Sequence, residues 1–316
     1  MVLLLGASGY IGQAFAAELK ARDVHYLPLS RCELDYTRFD VLLEFMRVKK
    51  PEFVINAAGY VGRPNVDACE DAKADTLTGN ALLAQTVAHA CVAADVPWGQ
   101  VSSGCIFSGA KIVQDDREYV EKDLTQSSVK DLIKESPDAV HGFREADEPN
   151  FSFNNPPCSF YSGTKALSEE AIVDLPQGYI WRLRIPFDEF DNPRNYLTKI
   201  QKYTKVYDNI NSLSHRGNYV CACLDLWEKQ APFGVYNVTN PGFVSTRQVV
   251  GMIERILKPE RAFEFWVSDE EFYQIEAKTL RSNCVLDVSK LLDTGTKMRS
   301  VEEALDSALK GWEAKN

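Results

Sequence analysis

Seven residues near the start, Gly6-Ala7-Ser8-Gly9-Tyr10-Ile11-Gly12, restrict this chain more than any other stretch. They follow the apolar run Val2 to Leu5. They precede a segment with apolar residues at Ile11, Phe15, Ala16 and Leu19, the spacing of one helix face. A strand that feeds a helix through glycines bends sharply and leaves backbone N–H groups clear for a ligand. The helix N-terminus then faces that ligand and favours negative charge. The pattern points to a pyrophosphate cradle formed around Gly6, Ser8, Gly9, Tyr10, Ile11 and Gly12.

The segments that follow repeat the theme. Val24 to Leu29 and Phe53 to Ile55 read as strands, and Val101 ends a fourth. Phe39 to Val48 and Ala68 to Ala94 read as helices. Strands alternating with helices predict an α/β fold, a Rossmann-type doubly wound parallel sheet. Helical pattern returns over Tyr161–Val173 and strand pattern over Tyr179–Leu183. Beyond Pro186 the alternation lapses. Gly234–Val238 reads as a strand, Ser245 caps a helix to Leu257, and Val301–Trp312 is a last helix. Residues 1–185 are expected to form mainly the cofactor-binding domain, with 108–150 as an insertion or mobile flap. Residues 186–316 mainly form a smaller C-terminal substrate-binding lobe that returns some elements to the first.

Of 316 residues, 45% are hydrophobic and 25% charged, with a formal net charge of -10. That balance argues against a nucleic-acid or membrane surface, but not against a small anion held by local arginines. No run approaches the ~18 apolar residues of a membrane span. The start carries no basic leader, so a cytoplasmic protein is expected. Its eight cysteines include no Cys-x-x-Cys pair and read as free thiols without a metal site. Cys221 and Cys223 read as alternate positions of a packed strand.

At the tip of the second strand, Leu29-Ser30-Arg31, there is no acidic residue to accept from ribose hydroxyls. Arg31 could instead pair with a 2′-phosphate, favouring NADP(H) over NAD(H). Ser30 lies beside it, and Asp35 follows as an adenine contact or a helix cap.

Tyr161-Ser162-Gly163-Thr164-Lys165 puts a phenol and an amine on one helix face. A phenol titrates near 10, and a neighbouring ammonium and the nicotinamide charge lower that value. Tyr161 can then give a proton to the oxygen formed as hydride reaches a carbonyl. Ser103, at the end of the fourth strand, can hydrogen-bond the same oxygen.

With the glycine turn, Asn56-Ala57-Ala58-Gly59, Asn80, Ser103 and Tyr161/Lys165 in this order, the chain resembles the extended short-chain dehydrogenase/reductases. Further blocks resemble the dTDP-4-dehydrorhamnose reductases and, more closely, the plant-type nucleotide-rhamnose epimerase/reductases. They are Gly62-Arg63-Pro64-Asn65-Val66-Asp67, Gly104-Cys105-Ile106-Phe107, Glu148-Pro149-Asn150-Phe151, Asn192-Pro193-Arg194-Asn195, Asn240-Pro241-Gly242 and Arg281-Ser282-Asn283. The resemblance implies cofactor contacts at Asn56 to Gly59 and Asn80. It also implies a nucleotide-linked 4-keto-6-deoxyhexose as substrate, with Arg63, Asn65, Asn195 and Arg281 as candidate contacts.

A 4-keto group acidifies the hydrogens on carbons 3 and 5. The resemblance therefore offers Cys105 and Lys199 as the groups that invert those centres; a thiol of depressed pKa would serve as base. The Asp-Glu pair of nucleotide-sugar dehydratases is replaced by Gly104 and Cys105, which argues against dehydration. His141 lies in the charged stretch and reads as exposed. Two rivals stay open, an NAD-dependent nucleotide-sugar 4-epimerase and a non-catalytic reductase-like subunit, and so does a homodimer.

Overall fold

The computed structural model describes residues 1–114 and 117–314. Its first four strands are β1 (Val2–Leu5), β2 (Tyr26–Leu29), β3 (Phe53–Asn56) and β4 (Trp98–Ser103). An excursion carries β5 (Ala110–Gln114), β6 (Arg117–Glu121) and β7 (Val140–His141), and β8 (Gly178–Leu183) returns to the sheet. Short strands β9 (Pro186–Phe187), β10 (Lys205–Val206), β11 (Ile210–Asn211) and β12 (Ser214–His215) precede β13 (Gly234–Asn237). Strands β13-β8-β4-β3-β1-β2 form one six-stranded sheet, parallel throughout.

Helices cover both faces. Val2 and Leu4 pack with Phe15 and Leu19 of α1 (Tyr10–Ala21). Leu3 and Leu5 pack with Leu42 and Met46 of α2 (Phe39–Lys49). All four β1 residues are therefore buried, which is why β1 shows no polar alternation. Each such side chain contributes ~1.5–3 kcal/mol on burial.

The helix expected over Ala68–Ala94 is interrupted. It consists of α3 (Ala68–Asp71), α4 (Lys73–Leu77), a π-helical turn at Thr78–Leu82 that holds Asn80, and α5 (Leu83–Ala94). Such a turn leaves part of the i→i−4 ladder unmade and often marks a functional segment.

Residues 108–150 contain more structure than their charge suggested. β6, β5 and β7 form an antiparallel sheet backed by α6 (Ser127–Glu135). Ala110, Ile112, Leu124, Val129 and Val140 bury against Ile210 and Val285 of the later chain. The outward-facing residues of β6 hide this core from a periodicity reading.

After α7 (Phe160–Glu170) and β8, the smaller lobe packs Leu197 and Ile200 of α8 (Tyr196–Lys202) with Val249 and Ile253 of a later helix. Cys221 and Cys223 do not lie on a strand. They lie on α9 (Arg216–Glu228), which covers the same sheet face as α1. The later helix is α10 (Thr246–Leu257), and Ser245 and Gln248 close a reciprocal cap at its start.

Candidate active site

Strand order reverses between β1 and β3, and ligands of such sheets bind where the carboxyl ends part at that reversal. A cleft of about 750 Å³ lies there, a volume suited to a small-molecule ligand. Its first wall is the glycine turn. Gly6 has φ +74°, and a Cβ on it would stand 2.6 Å from the Ala58 nitrogen. A Cβ on Gly12 would stand 2.1 Å from the Gly6 oxygen. The turn after β1 and the loop after β3 thus touch through backbone alone. Ser8, Gly9, Tyr10, Ile11, Ala57, Ala58 and Gly59 face the cleft, while Gly6 and Gly12 lie beneath it. This bare-backbone cradle at the start of α1 fits a dinucleotide pyrophosphate.

Two expected cofactor residues act indirectly in this structure. Asn56 donates to Gln100 Oε1 at 2.7 Å and accepts from the Ala58 nitrogen at 3.1 Å. Asn80 accepts from the Tyr60 nitrogen at 2.9 Å and donates to the Tyr60 oxygen at 2.9 Å and to Thr164 at 3.2 Å. Both are buried and outside the cleft wall, so they hold the Ala57–Tyr60 loop against α7.

Arg31 is exposed at the β2 tip, and against the larger raising effect of burial its positive charge lowers the Tyr36 phenol. Ser30 gives both its N–H and its hydroxyl to Glu33, at 2.9 and 2.7 Å. The tip therefore does carry a carboxylate, Glu33, three residues on from Ser30, contrary to the expectation of none. Asp35 accepts from Thr37 at 2.5 Å, as a turn residue does.

The residues expected to be catalytic come together. Ser159 caps α7 by accepting from the Ser162 nitrogen at 3.1 Å. Tyr161 and Lys165 then face the cleft one turn apart. Ser103 ends β4, and its hydroxyl accepts from the Cys105 nitrogen at 3.2 Å. Tyr161, Lys165, Ser103 and Cys105 all line the same space. Lys165 Nζ donates to the Val101 oxygen at 3.5 Å, and burial pulls its pKa down.

Burial pushes the Tyr161 phenol well above its usual range, with Ser103 and Arg184 pulling weakly the other way. The expectation of a lowered phenol is thus not met, because desolvation of the phenolate outweighs the nearby donors and charges. The group stays protonated, the form a proton donor requires. Burial likewise raises the Cys105 thiol, so it rests as S–H and not as the base that a depressed pKa would make it. Burial lowers Lys199, and the Arg194 and Arg281 cations add to the effect.

The far wall holds Arg63, Asn65, Lys199 and Arg281. Asn195 does not join them. It is fully buried, its amide donates to Asp188 and to the Phe190 oxygen, and its oxygen accepts from the Leu197 nitrogen. It is the N-cap that aims α8, and so Lys199. His141 lies outside the cleft and bonds the Asp138 oxygen at 3.1 Å.

Arg184 and an aromatic end of the cleft, with Tyr203, Tyr207, Trp266 and Phe272, went unread in the sequence. Two arginines in Trp181-Arg182-Leu183-Arg184, at the end of an apolar strand, were the available signal for Arg184. The aromatics are scattered and carry no spacing signal. Seven cationic side chains line the cleft against one carboxylate, Glu276. In a chain of net charge -10 that local excess fits an anionic ligand.

Residues 1–313 match the family model described as the RmlD substrate binding domain. A bifunctional dTDP-4-dehydrorhamnose 3,5-epimerase/dTDP-4-dehydrorhamnose reductase of Arabidopsis thaliana is 31% identical over 304 residues, covering 96% of this chain and 90% of that protein. A trifunctional UDP-glucose 4,6-dehydratase/UDP-4-keto-6-deoxy-D-glucose 3,5-epimerase/UDP-4-keto-L-rhamnose-reductase of the same plant is 32% identical over 84% of this chain, which spans only 35% of its length. The UDP-rhamnose synthase from Acanthamoeba polyphaga mimivirus superposes with TM-score 0.82 at 23% identity, over 98% of both chains. A dTDP-4-dehydrorhamnose reductase from Bacillus anthracis, solved in complex with NADP, gives TM-score 0.74 at 19% identity, over 98% of this chain and 96% of that one. Both structural likenesses bear on the fold.

Proposed function

Because the chain belongs to the RmlD substrate-binding family, we propose that it is an NADPH-dependent reductase of the 4-keto group on a nucleotide-linked 4-keto-6-deoxyhexose. The same cleft inverts carbons 3 and 5. One observation carries the reading: Ser103, Tyr161 and Lys165 share the cleft of the glycine turn with seven cationic side chains.

When bound, NADPH supplies the hydride. The chain does the rest. Ser103 and the protonated Tyr161 hold the keto oxygen, and Tyr161 gives it a proton as carbon 4 is reduced. Lys165 stands one turn away to restore charge balance. Arg63 and Arg281 on the far wall suit the diphosphate and sugar, and Tyr203, Tyr207, Trp266 and Phe272 suit stacking on the base. Arg31 beside the Gly6 loop suits a 2′-phosphate.

For inversion, one group takes a proton from carbon and another returns one on the opposite face. Lys199, with its lowered pKa, takes the first role, and Cys105, resting as a thiol, takes the second. The 4-keto group makes those protons acidic, so inversion precedes reduction. The relatives' names, which pair 3,5-epimerase with reductase, support the coupling.

All eight cysteines are free, which suits a reducing compartment such as the cytoplasm. No helix among the described residues is long and apolar enough to cross a membrane.

The test supplies UDP- and dTDP-linked 4-keto-6-deoxyglucose with NADPH in deuterated water. The expected product is a 6-deoxyhexose with deuterium at carbons 3 and 5 and one NADPH oxidised per sugar. No NADPH consumption would reject the reductase. Reduction without deuterium entry would reject the inversion.

A further inference from the structure

Arg184 is a buried charged side chain in this cleft to which the motifs give no role. It follows the last residue of β8, and the β4–β8 register pairs Ser103 with Leu183, so Arg184 stands beside the reacting end of β4. The next residue, Ile185, has φ +37°, a backbone state that a β-branched side chain adopts only under strain. Arg184 is only 6% exposed, yet it lines the cleft. Nη2 donates to Asn211 Oδ1 at 2.7 Å and to the Ser282 oxygen. Both acceptors are neutral. Nε is buried without any acceptor, and no carboxylate pairs with this guanidinium among the described residues.

A buried cation with no counter-ion is costly, and chains hold one where an anion forms. Among the titratable groups that bear on Cys105 are Arg184, Lys165, Tyr161, Cys69, Cys158 and Cys284. They comprise two cations, a phenol and three thiols, with no carboxylate among them. During inversion neutral Lys199 takes the proton as a C–H bond breaks, and the bond's electron pair moves onto the keto oxygen. A new C–H bond then forms with the proton of the Cys105 S–H, leaving a thiolate. Lys199 is then an ammonium on the far wall and the reduced nicotinamide is uncharged, so positive charge beside the thiolate must come from the residues around Cys105.

We propose that Arg184 is a positioning residue for the inversion half of the reaction, holding its unpaired guanidinium as the counter-charge for the Cys105 thiolate and the enolate oxygen. This rests on the inversion reading above. Hydride transfer itself makes far less demand on Arg184, because Ser103 and Tyr161 hold the keto oxygen directly.

The experiment compares the full chain with Arg184→Gln and Arg184→Lys. Iodoacetamide labelling of Cys105, read by peptide mass across pH without sugar, reports the pairing directly. Arg184→Gln is expected to move the labelling midpoint up by about one pH unit and to slow labelling at neutral pH about tenfold. Arg184→Lys is expected to recover most of that. Solvent deuterium entry should fall about a hundredfold in Arg184→Gln, while reduction of an already inverted 4-keto sugar falls less than tenfold. Should Arg184→Gln fail to fold, Asn211→Asp sets a carboxylate against the guanidinium and should give the same losses. An unchanged labelling profile overturns the proposal, as does equal loss of exchange and reduction. A shifted profile in a protein that never exchanges deuterium upholds the Arg184–Cys105 pairing and removes the inversion reading alone.

Discussion

Arg281 grips Asp67 with both terminal nitrogens, Nη1 to Oδ1 at 2.7 Å and Nη2 to Oδ2 at 2.6 Å. This fork ties the loop after β3 to a segment more than two hundred residues later, and Asp67 also accepts from the Thr279 nitrogen at 3.2 Å. The pair stands at the far wall of the cleft, which Arg281 lines. It also shares the Arg281 charge with a protein carboxylate and fixes the guanidinium in one orientation toward the cleft.

Asp67→Asn leaves the guanidinium with one weakened partner and loosens that wall. Such a charge-assisted pair contributes ~1.5–3 kcal/mol. The melting temperature should fall by several degrees and KM for the nucleotide sugar should rise about tenfold, with kcat within a few-fold of the parent. Thermal melts and initial rates check both, and an unchanged KM would free the substrate site from this pair.

Tyr161→Phe removes only an oxygen from a packed helix face. Reduction should fall by ~10²–10⁴, the usual worth of a positioned proton donor. NADPH binding by fluorescence and the melting temperature should hold. Retained turnover would move the proton donor elsewhere.

Arg31→Ala should raise KM for NADPH ten- to a hundredfold and leave NADH nearly unaffected, since only the phosphorylated cofactor would meet that guanidinium. Glu33→Gln tests the converse. Removing a carboxylate from the same tip should improve NADPH use, because like charges there oppose one another. Equal effects on both cofactors would place the 2′-phosphate elsewhere.

The frame of this fold was legible in the sequence because its signals are local. The glycine turn, the solid apolar β1 and the Tyr161/Lys165 spacing each follow from a few neighbouring residues. What stayed hidden depends on distant partners. Asn195 resembled a substrate contact, but its environment is Asp188 and Phe190, and it caps a helix instead. Cys105 has the place of a base, yet its pKa is set by burial, which no motif displays. Arg184 needs Asn211 and Ser282 to be seen as a counter-charge without an anion. The core of 108–150 is shared with Ile210 and Val285, so its own segment looks aperiodic.

Gly99 gives a stability test of the strand that delivers Ser103. A Cβ there would lie 2.0 Å from the Trp181 ring, and Trp181 is fully buried between Phe15 and Tyr179. Gly99→Ala must displace that ring. Overpacking of this kind costs ~1–3 kcal/mol, and here the rigid indole leaves little room to yield. Denaturant unfolding should show a lower midpoint and an unchanged slope, while an unaltered midpoint would mean that β4 and β8 separate without loss.

The two halves of the reaction should also separate by pH. The base role proposed for Lys199 requires the neutral amine, and its folded pKa lies below the ordinary 10.5. Deuterium entry should therefore decline as pH falls through that lowered value and the amine takes up a proton. Tyr161 is pushed well above 10, so its donor form persists through neutral and mildly alkaline pH. Reduction of an inverted substrate should stay nearly level from about pH 7 to about pH 9, since over that range no proton is lost from the phenol. The same Lys199 shift has a sign for stability. Between the lowered value and 10.5 the unfolded chain binds more protons than the folded one, so this group's contribution rises with pH and is lost as pH falls. Lys199→Met should abolish the exchange profile, flatten its share of the pH–stability curve and leave the reduction profile in place. A reduction rate that tracks deuterium entry at every pH would mean that one titrating group governs both steps, and Lys199 and Tyr161 would lose their separate roles.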